Sequence, residues 1–437
     1  MNKFSDIVPR TILAPFILLS TCFAMWGLSN NMTDPLVKAF LDIFPELSNA
    51  QSALIQNAFY GAYFWLAIPG AIIARKFGYK KGILAGLGLY ILGGLLFYPA
   101  SQMLTFNPFL IAFFVLAGGL SILETNANPY IIAMGPEDTA TQRLNFAQSF
   151  NPVGSLIGLF VCKFAILKKL DVVNAMKVEG LSPEALTAIQ TEQLDIVMTP
   201  YFIAALVLIV LWVLIATSKK MPTVQEHDHK AHVGQTVKDL LTNKNYVFAV
   251  IAQFFYVGAQ IAVWTYTIHY ITGQLGIENS AAMNYHMGAI ITFSISRWVF
   301  TALMRVFKPG NLLLIAAIVG GLLTCSVIFV QGIVGVFSLV CISACMSLMF
   351  PTIFGLGSRG LGEATKLGAS GLIMAILGGA LLTLLQGKLI DVFGGADEAM
   401  LGAATAKSYV VPLVCFIVIA AYALFCKKDG EKELVSE

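Results

Sequence analysis

Charge is scarce in this sequence. Asp, Glu, Lys and Arg together make up 12% of its 437 residues, against about 25% in an ordinary soluble domain. Too little polar surface is available to cover a water-facing globule of 47.2 kDa, which excludes a soluble enzyme or a nucleic-acid-binding protein. The net charge of +3 comes without a long basic run, so no acidic partner is indicated. The phosphate-binding pattern GxxxxGK followed by Ser or Thr is absent, so the chain does not itself couple to ATP through that motif, and HExxH is absent as well. The cysteines Cys22, Cys162, Cys325, Cys341, Cys345, Cys415 and Cys426 lie in or beside apolar stretches without ligand spacing. They read as small hydrophobes, and neither a metal site nor a cofactor is expected. His227, His229 and His232 sit among charges in the middle of the chain, where metal binding is the weaker reading.

What the sequence has in abundance is apolar residues, 57% of the chain, with a mean hydropathy of +0.79. Its natural solvent is lipid. A crossing takes about 20 residues at 1.5 Å each, so there is room for roughly twelve. Apolar segments divided by short charged turns fall at 11–36, 51–74, 83–103, 108–134, 144–167, 200–217, 246–272, 281–307, 311–331, 335–358, 367–390 and 408–426, termed spans one to twelve in order. The first has no small-x-small cleavage site and reads as a retained span. The expectation is an all-α integral membrane protein with its helices in two six-helix bundles, 1–217 and 246–437, joined by a polar cytoplasmic linker at 218–245 and ending in a short cytoplasmic tail. With both termini inside, nineteen of the 27 Lys and Arg fall in inner segments and seven in outer ones, with Arg297 inside a span. That bias supports this orientation.

The two halves also carry a trace of repetition. NPYIIAMG from Asn128, in span four, and FPTIFGLG from Phe350, in span ten, share Pro, Ile and Gly at the same spacing. A common ancestor for two pseudo-symmetric halves is the simplest account, and internal repeats of this kind are frequent in secondary transporters.

Ionisable groups in the bilayer are costly, by about 2.5–3.5 kcal/mol or more, and are functional candidates by default. All but two of the 24 carboxylates lie in loops, tails or span ends; the exceptions are Asp34, near the outer end of span one, and Glu124, deep in span four. Loss of water penalises the charged form of a carboxylate, which makes Glu124 a candidate proton carrier. The alternatives are a glutamate that only hydrogen-bonds neighbouring helices, and for Asp34 an interfacial residue in water. Asn30 and Asn31 share a helix face with Asp34, and Asn128 with Glu124. Asn145, Gln148, Asn151 and Ser155 form a polar stripe on span five, and Gln253, Tyr256, Gln260 and Trp264 one on span seven. Polar stripes facing lipid are expensive. They are expected to line a water-filled cavity whose amides exchange hydrogen bonds with hydroxyls and whose rings stack on an apolar sugar face, a chemistry suited to a small neutral polyhydroxy ligand. The bland alternative is interhelical hydrogen bonding and, for Tyr256 and Trp264, core packing.

The runs WGLSNNMTDPL from Trp26, ALIQNAFYGAYF from Ala53, GGLSILETNANPY from Gly118, RLNFAQSFN from Arg143, FFYVGAQIAVWTY from Phe254 and FPTIFGLG from Phe350 together resemble the fucose permease branch of the major facilitator superfamily, over nearly the whole chain. The resemblance implies the two-bundle major facilitator fold, a central sugar site, and import of L-fucose with a proton across a bacterial inner membrane by alternating access. It also implies that Asp34 and Glu124 are the transport carboxylates and that Asn31, Gln148 and Asn151 contact the sugar. A monomer is expected. The first-helix motif departs from the family's NDIL, since Thr33 and Pro35 flank the aspartate and Pro35 is expected to break the helix. His269 stands where related sequences can have arginine. Sugar identity therefore stays open among fucose, glucose, galactose, mannose and N-acetylglucosamine, as does sodium in place of the proton. An intramembrane enzyme or channel is the distant alternative.

Overall fold

The computed structural model describes residues 7–44, 54–174, 182–219, 221–222, 233–394 and 398–436, and among them every regular element is helical. His227, His229 and His232 lie outside the described residues, as does the side chain of Asp34. Spans one to four are Leu13–Ile43, Leu54–Phe77, Tyr79–Gln102 and Asn107–Ala133. Span five is Ala140–Gln148 followed by Phe150–Val161, and span six is Pro183–Thr217. Spans seven to nine are Lys244–Thr265 with Thr267–Leu275, Asn279–Leu303 and Pro309–Phe329. Span ten is Gly332–Met346 with Met349–Gly357, span eleven Thr365–Met374 with Gly378–Val392, and span twelve Val410–Ser436. Among the described residues, 10 helices are long and apolar enough to cross a membrane. Leu54–Phe77 and Asn279–Leu303, which carry Arg75 with Lys76 and Arg297 respectively, fall outside that set.

Two local expectations are corrected. Span one continues through Pro35 to Ile43; proline removes one backbone donor, a loss that membrane helices tolerate where neighbours satisfy the freed group. Span six begins well before residue 200, at Pro183. Ser182 caps it by accepting from the Ala185 amide at 3.2 Å, with Pro183 at the first helical position, while Glu184, Glu192 and Asp195 hide this outer stretch from a hydropathy reading. The polar segment 218–245 contains a helix, Val233–Thr242. The next helix starts where the Asn243 side chain accepts from the Tyr246 amide at 3.0 Å.

Small residues let backbones approach. A Cβ on Gly27 would meet the carbonyl of Asn151, and one on Gly154 the carbonyl of Ala24, so spans one and five touch backbone to backbone, as membrane helices do where burial of apolar surface gives little drive. Outward faces are apolar: Val207, Val210, Val213 and Leu214 of span six and Leu322 and Phe329 of span nine are exposed, a surface suited to lipid.

The chain forms two compact units. One comprises Val8–Met134 and Phe150–Glu226; the other comprises Met1–Ile7, Gly135–Ser149 and His227–Glu437. The first half of span five belongs to the second unit because its polar side chains are tied there. Gln142 donates to the Thr301 carbonyl at 2.8 Å, and Asn145 donates to Thr352 Oγ1 at 3.2 Å.

Candidate functional site

Span four is buried along nearly its whole inner and middle length, from Leu116 to Ile131, so its one carboxylate cannot reach water by turning outward. Glu124 is 2% exposed. Its Oε1 accepts from the Tyr63 hydroxyl of span two at 2.8 Å, and that hydroxyl in turn accepts from Trp26 Nε1 of span one. Ser121, one turn before Glu124, donates to the backbone carbonyl of Tyr63 at 2.9 Å. Three spans of this unit thus meet at one hydrogen-bonded carboxyl group. Tyr63 was not singled out in the sequence, where a tyrosine in an apolar run reads as packing. The usable signal is its place in the run ALIQNAFYGAYF.

The asparagines of the same unit divide by what holds them. Asn31 is half-buried and donates to the Gly27 carbonyl of its own helix at 3.2 Å. Asn128, one turn beyond Glu124, is fully buried. Asn126, between them, donates to the Gly70 carbonyl at 3.1 Å and to the Ile122 carbonyl at 2.8 Å, joining span four to span two. Asn151 is buried and donates to the Phe23 carbonyl of span one at 3.3 Å. One of its two amide N–H groups is therefore engaged in an interhelical tie.

The second unit holds the remaining candidates. Span five is interrupted at Ser149, because Pro152 has no N–H to give the Gln148 carbonyl. Gln148 is buried, and its backbone carbonyl accepts from Arg297 Nη1 at 3.1 Å. Arg297, 3% exposed, also donates from Nε to the Ser347 carbonyl and lies over the Phe293 ring at 4.6 Å. Trp264 also meets that ring, edge to face with centroids 5.0 Å apart, and its Nε1 donates to Ser343 Oγ at 3.1 Å. Gln260 and Trp264 are half-buried. Tyr256 is fully buried against Phe350 at 6.2 Å, and its hydroxyl has no hydrogen-bond partner among the described residues, which also holds for both amide atoms of Gln253. Of the span-seven stripe, Gln260 and Trp264 are thus the members that are not fully buried. Among the described residues no group of three or more His, Cys, Asp or Glu side chains gathers to hold a metal.

An all-helical fold with 10 membrane-length helices among the described residues, and a buried, hydrogen-bonded carboxyl group inside one of them, has the build of a membrane transporter. Residues 16–383 match the family model of the Major Facilitator Superfamily; the chain belongs to that superfamily and has its all-helical fold. It is 42% identical to the L-fucose-proton symporter of Haemophilus influenzae, over 96% of this chain and 97% of that one. It is 37% identical to the L-fucose-proton symporter of Escherichia coli, over 95% and 94% respectively. The crystal structure of FucP, a Major Facilitator Superfamily transporter in the outward conformation, superposes with a TM-score of 0.85 at 36% identity, covering 95% of this chain and 99% of that chain.

Proposed function

We propose that this chain imports L-fucose together with a proton by alternating access, as a monomer in the bacterial inner membrane with both termini cytoplasmic. Its two bundles, 1–217 and 246–437, are joined by the cytoplasmic segment 218–245. It is a transporter, not an enzyme, and its coupling ion is the proton, with no cofactor. The observation that carries this reading is Glu124: a carboxyl group 2% exposed, in a span otherwise apolar around it, held by the Tyr63 hydroxyl. Such a group exchanges a proton at much lower cost than it carries a permanent charge through the membrane. The relatives named L-fucose-proton symporters, at 42% and 37% identity, support the cargo.

In this reading sugar binds with Glu124 protonated. Asp34, Asn31, Asn128, Gln148, Asn151 and Gln260 supply hydrogen bonds to its hydroxyls, and Tyr256 and Trp264 supply ring faces to its apolar side. Coupling requires that the doubly loaded protein cross more readily than the singly loaded one. A carboxyl group whose proton alters both sugar affinity and the hydrogen bonds between spans supplies that difference in free energy.

The test is uptake into proteoliposomes of the purified protein under an imposed pH gradient without sodium, with L-galactose, D-arabinose, D-glucose, D-galactose and N-acetylglucosamine as competitors. Accumulation of L-fucose driven by the pH gradient, best displaced by sugars sharing its ring configuration, is the expected result. A requirement for sodium, or stronger displacement by D-glucose or N-acetylglucosamine than by L-fucose itself, would overturn it.

A further inference from the structure

The proton step assigned to Glu124 leaves two neighbouring polar groups without a role, Tyr63 and Trp26. Tyr63 is 1% exposed and fixed from several sides. Its ring lies 5.3 Å from Phe59, its backbone carbonyl accepts from Ser121 at 2.9 Å, and its hydroxyl donates to Glu124 while accepting from Trp26. A phenol has one proton to give, and here it goes to the carboxyl group, while the indole N–H polarises the same oxygen and strengthens it as a donor. On the far side, Trp26 adjoins Gly27, whose carbonyl receives the Asn31 side chain at 3.2 Å. One continuous path of contacts therefore joins the carboxyl group on span four to the segment of span one that carries a candidate sugar amide.

The path is sensitive to one proton. A hydrogen bond to an ionised carboxylate is roughly twice as strong as one between neutral groups. When Glu124 takes up a proton it becomes a donor itself, and Tyr63 is left with the weaker carbonyl acceptor. We propose that Tyr63 is a positioning residue for the proton step: it holds the Glu124 carboxylate in one orientation and, through Trp26, passes the loss of that charge to the span-one segment bearing Asn31. This rests on the symport reading above. The titratable groups bearing on the carboxyl group are Tyr63 itself, from span two, then Tyr90 of span three next to Tyr63, and Cys22 of span one next to Tyr90. Tyr90 donates to the Met25 carbonyl at 2.9 Å and meets Ser29, so it braces span one without contacting Glu124.

The experiment compares Tyr63→Phe, Trp26→Phe and Tyr90→Phe in full-length protein reconstituted in proteoliposomes, following L-fucose uptake against pH. Tyr63→Phe keeps the ring and removes the donor that favours the ionised carboxylate, so the alkaline limb of the uptake profile is expected to move about one pH unit higher. Trp26→Phe moves it in the same direction by less, and Tyr90→Phe lowers thermal stability while leaving the profile in place. A well-folded Tyr63→Phe with the parent profile overturns the proposal, as does an equal shift in Tyr90→Phe. If Tyr63→Phe does not fold, infrared difference spectra of the parent protein with ring-labelled tyrosine decide. A tyrosine C–O band must shift at the same pH as the carboxyl C=O band that Glu124→Gln removes, and independence of the two bands overturns the proposal. Absence of pH-driven uptake in the parent protein instead counts against the symport reading.

Discussion

The guanidinium of Arg297 donates to the backbone carbonyl of Gln148 at 3.1 Å, and that carbonyl is the one Pro152, four residues on, leaves without an intrahelical donor. The same side chain donates from Nε to the carbonyl of Ser347, four residues before Pro351. Spans five and ten break at these places, at Ser149 and at Ser347 with Leu348. A single buried arginine thus serves two carbonyls freed by two prolines in different spans. Its planar fork suits this, because it offers several donors in fixed directions.

A double-mutant cycle tests that relationship. Arg297→Gln leaves two buried carbonyls short of a donor, at about 1–3 kcal/mol each, and is expected to lower the unfolding temperature in detergent. Arg297→Lys recovers only part of the loss, since an ammonium is a single point donor. Pro152→Ala restores an N–H that reaches the Gln148 carbonyl along the helix. It is therefore expected to help the Arg297→Gln protein more than the parent, with a coupling of about 1 kcal/mol. Additive effects in thermal unfolding would show that the arginine does not serve that carbonyl.

Glu124→Gln keeps the size of the side chain and its ability to accept from Tyr63, but it cannot carry a proton. Uptake of L-fucose against its gradient is expected to be lost, while counterflow, which moves no net proton, persists. The two assays on one preparation separate loss of coupling from loss of sugar binding. Accumulation by the glutamine variant would remove Glu124 from the proton path.

Much of this is visible in the sequence, and the pattern of what is hidden follows from physics. Glu124 is legible because a lone carboxylate in an apolar run is expensive wherever it points. The spans are legible for the same reason, in that each must be apolar over about 20 residues. The outer part of span six, with Glu184, Glu192 and Asp195, escapes because hydropathy registers lipid and not helix. Arg297 is visible as an oddity, but its partners are backbone carbonyls at Gln148 and Ser347, and only the fold brings them to it. Tyr63 is hidden because the residue type is as common in packing as in hydrogen bonding. The amide stripe of span five is a real periodicity, yet Asn145 and Asn151 spend donors on Thr352 and Phe23, which periodicity alone cannot distinguish from ligand contact.

Lys80, in the first turn of span three, donates to the carbonyls of Ala216 at 3.0 Å and Ser218 at 2.8 Å. These lie at the C-terminal end of span six, where a cation complements both the free carbonyls and the helix dipole. Lys80→Met is expected to cost about 1 kcal/mol in unfolding stability, with a weaker salt dependence than the parent protein shows. The sugar concentration for half-maximal uptake is expected to stay unchanged. A changed half-saturation with unaltered stability would mean that this lysine acts on transport and not on the helix end.

The run NAN at 126–128 offers a contrast within one helical turn. Both asparagines are fully buried, but Asn126 donates to the Gly70 and Ile122 carbonyls, and Gly82 of span three lies against its side chain with no room for a Cβ. Asn126→Ala therefore abandons two buried acceptors and opens a gap, and is expected to lower stability by about 1–3 kcal/mol with little effect on sugar affinity in the protein that folds. Asn128 shares the Glu124 face of the helix, one turn away. Asn128→Ala is expected to raise the L-fucose concentration for half-maximal counterflow about tenfold, the effect of one lost hydrogen bond of about 1.4 kcal/mol, at a smaller cost in unfolding temperature. Counterflow kinetics and thermal unfolding on the pair decide the division. If both variants lose stability equally and neither changes half-saturation, then Asn128 is a helix tie like its neighbour, and the sugar is held by the amides of spans one, five and seven without it.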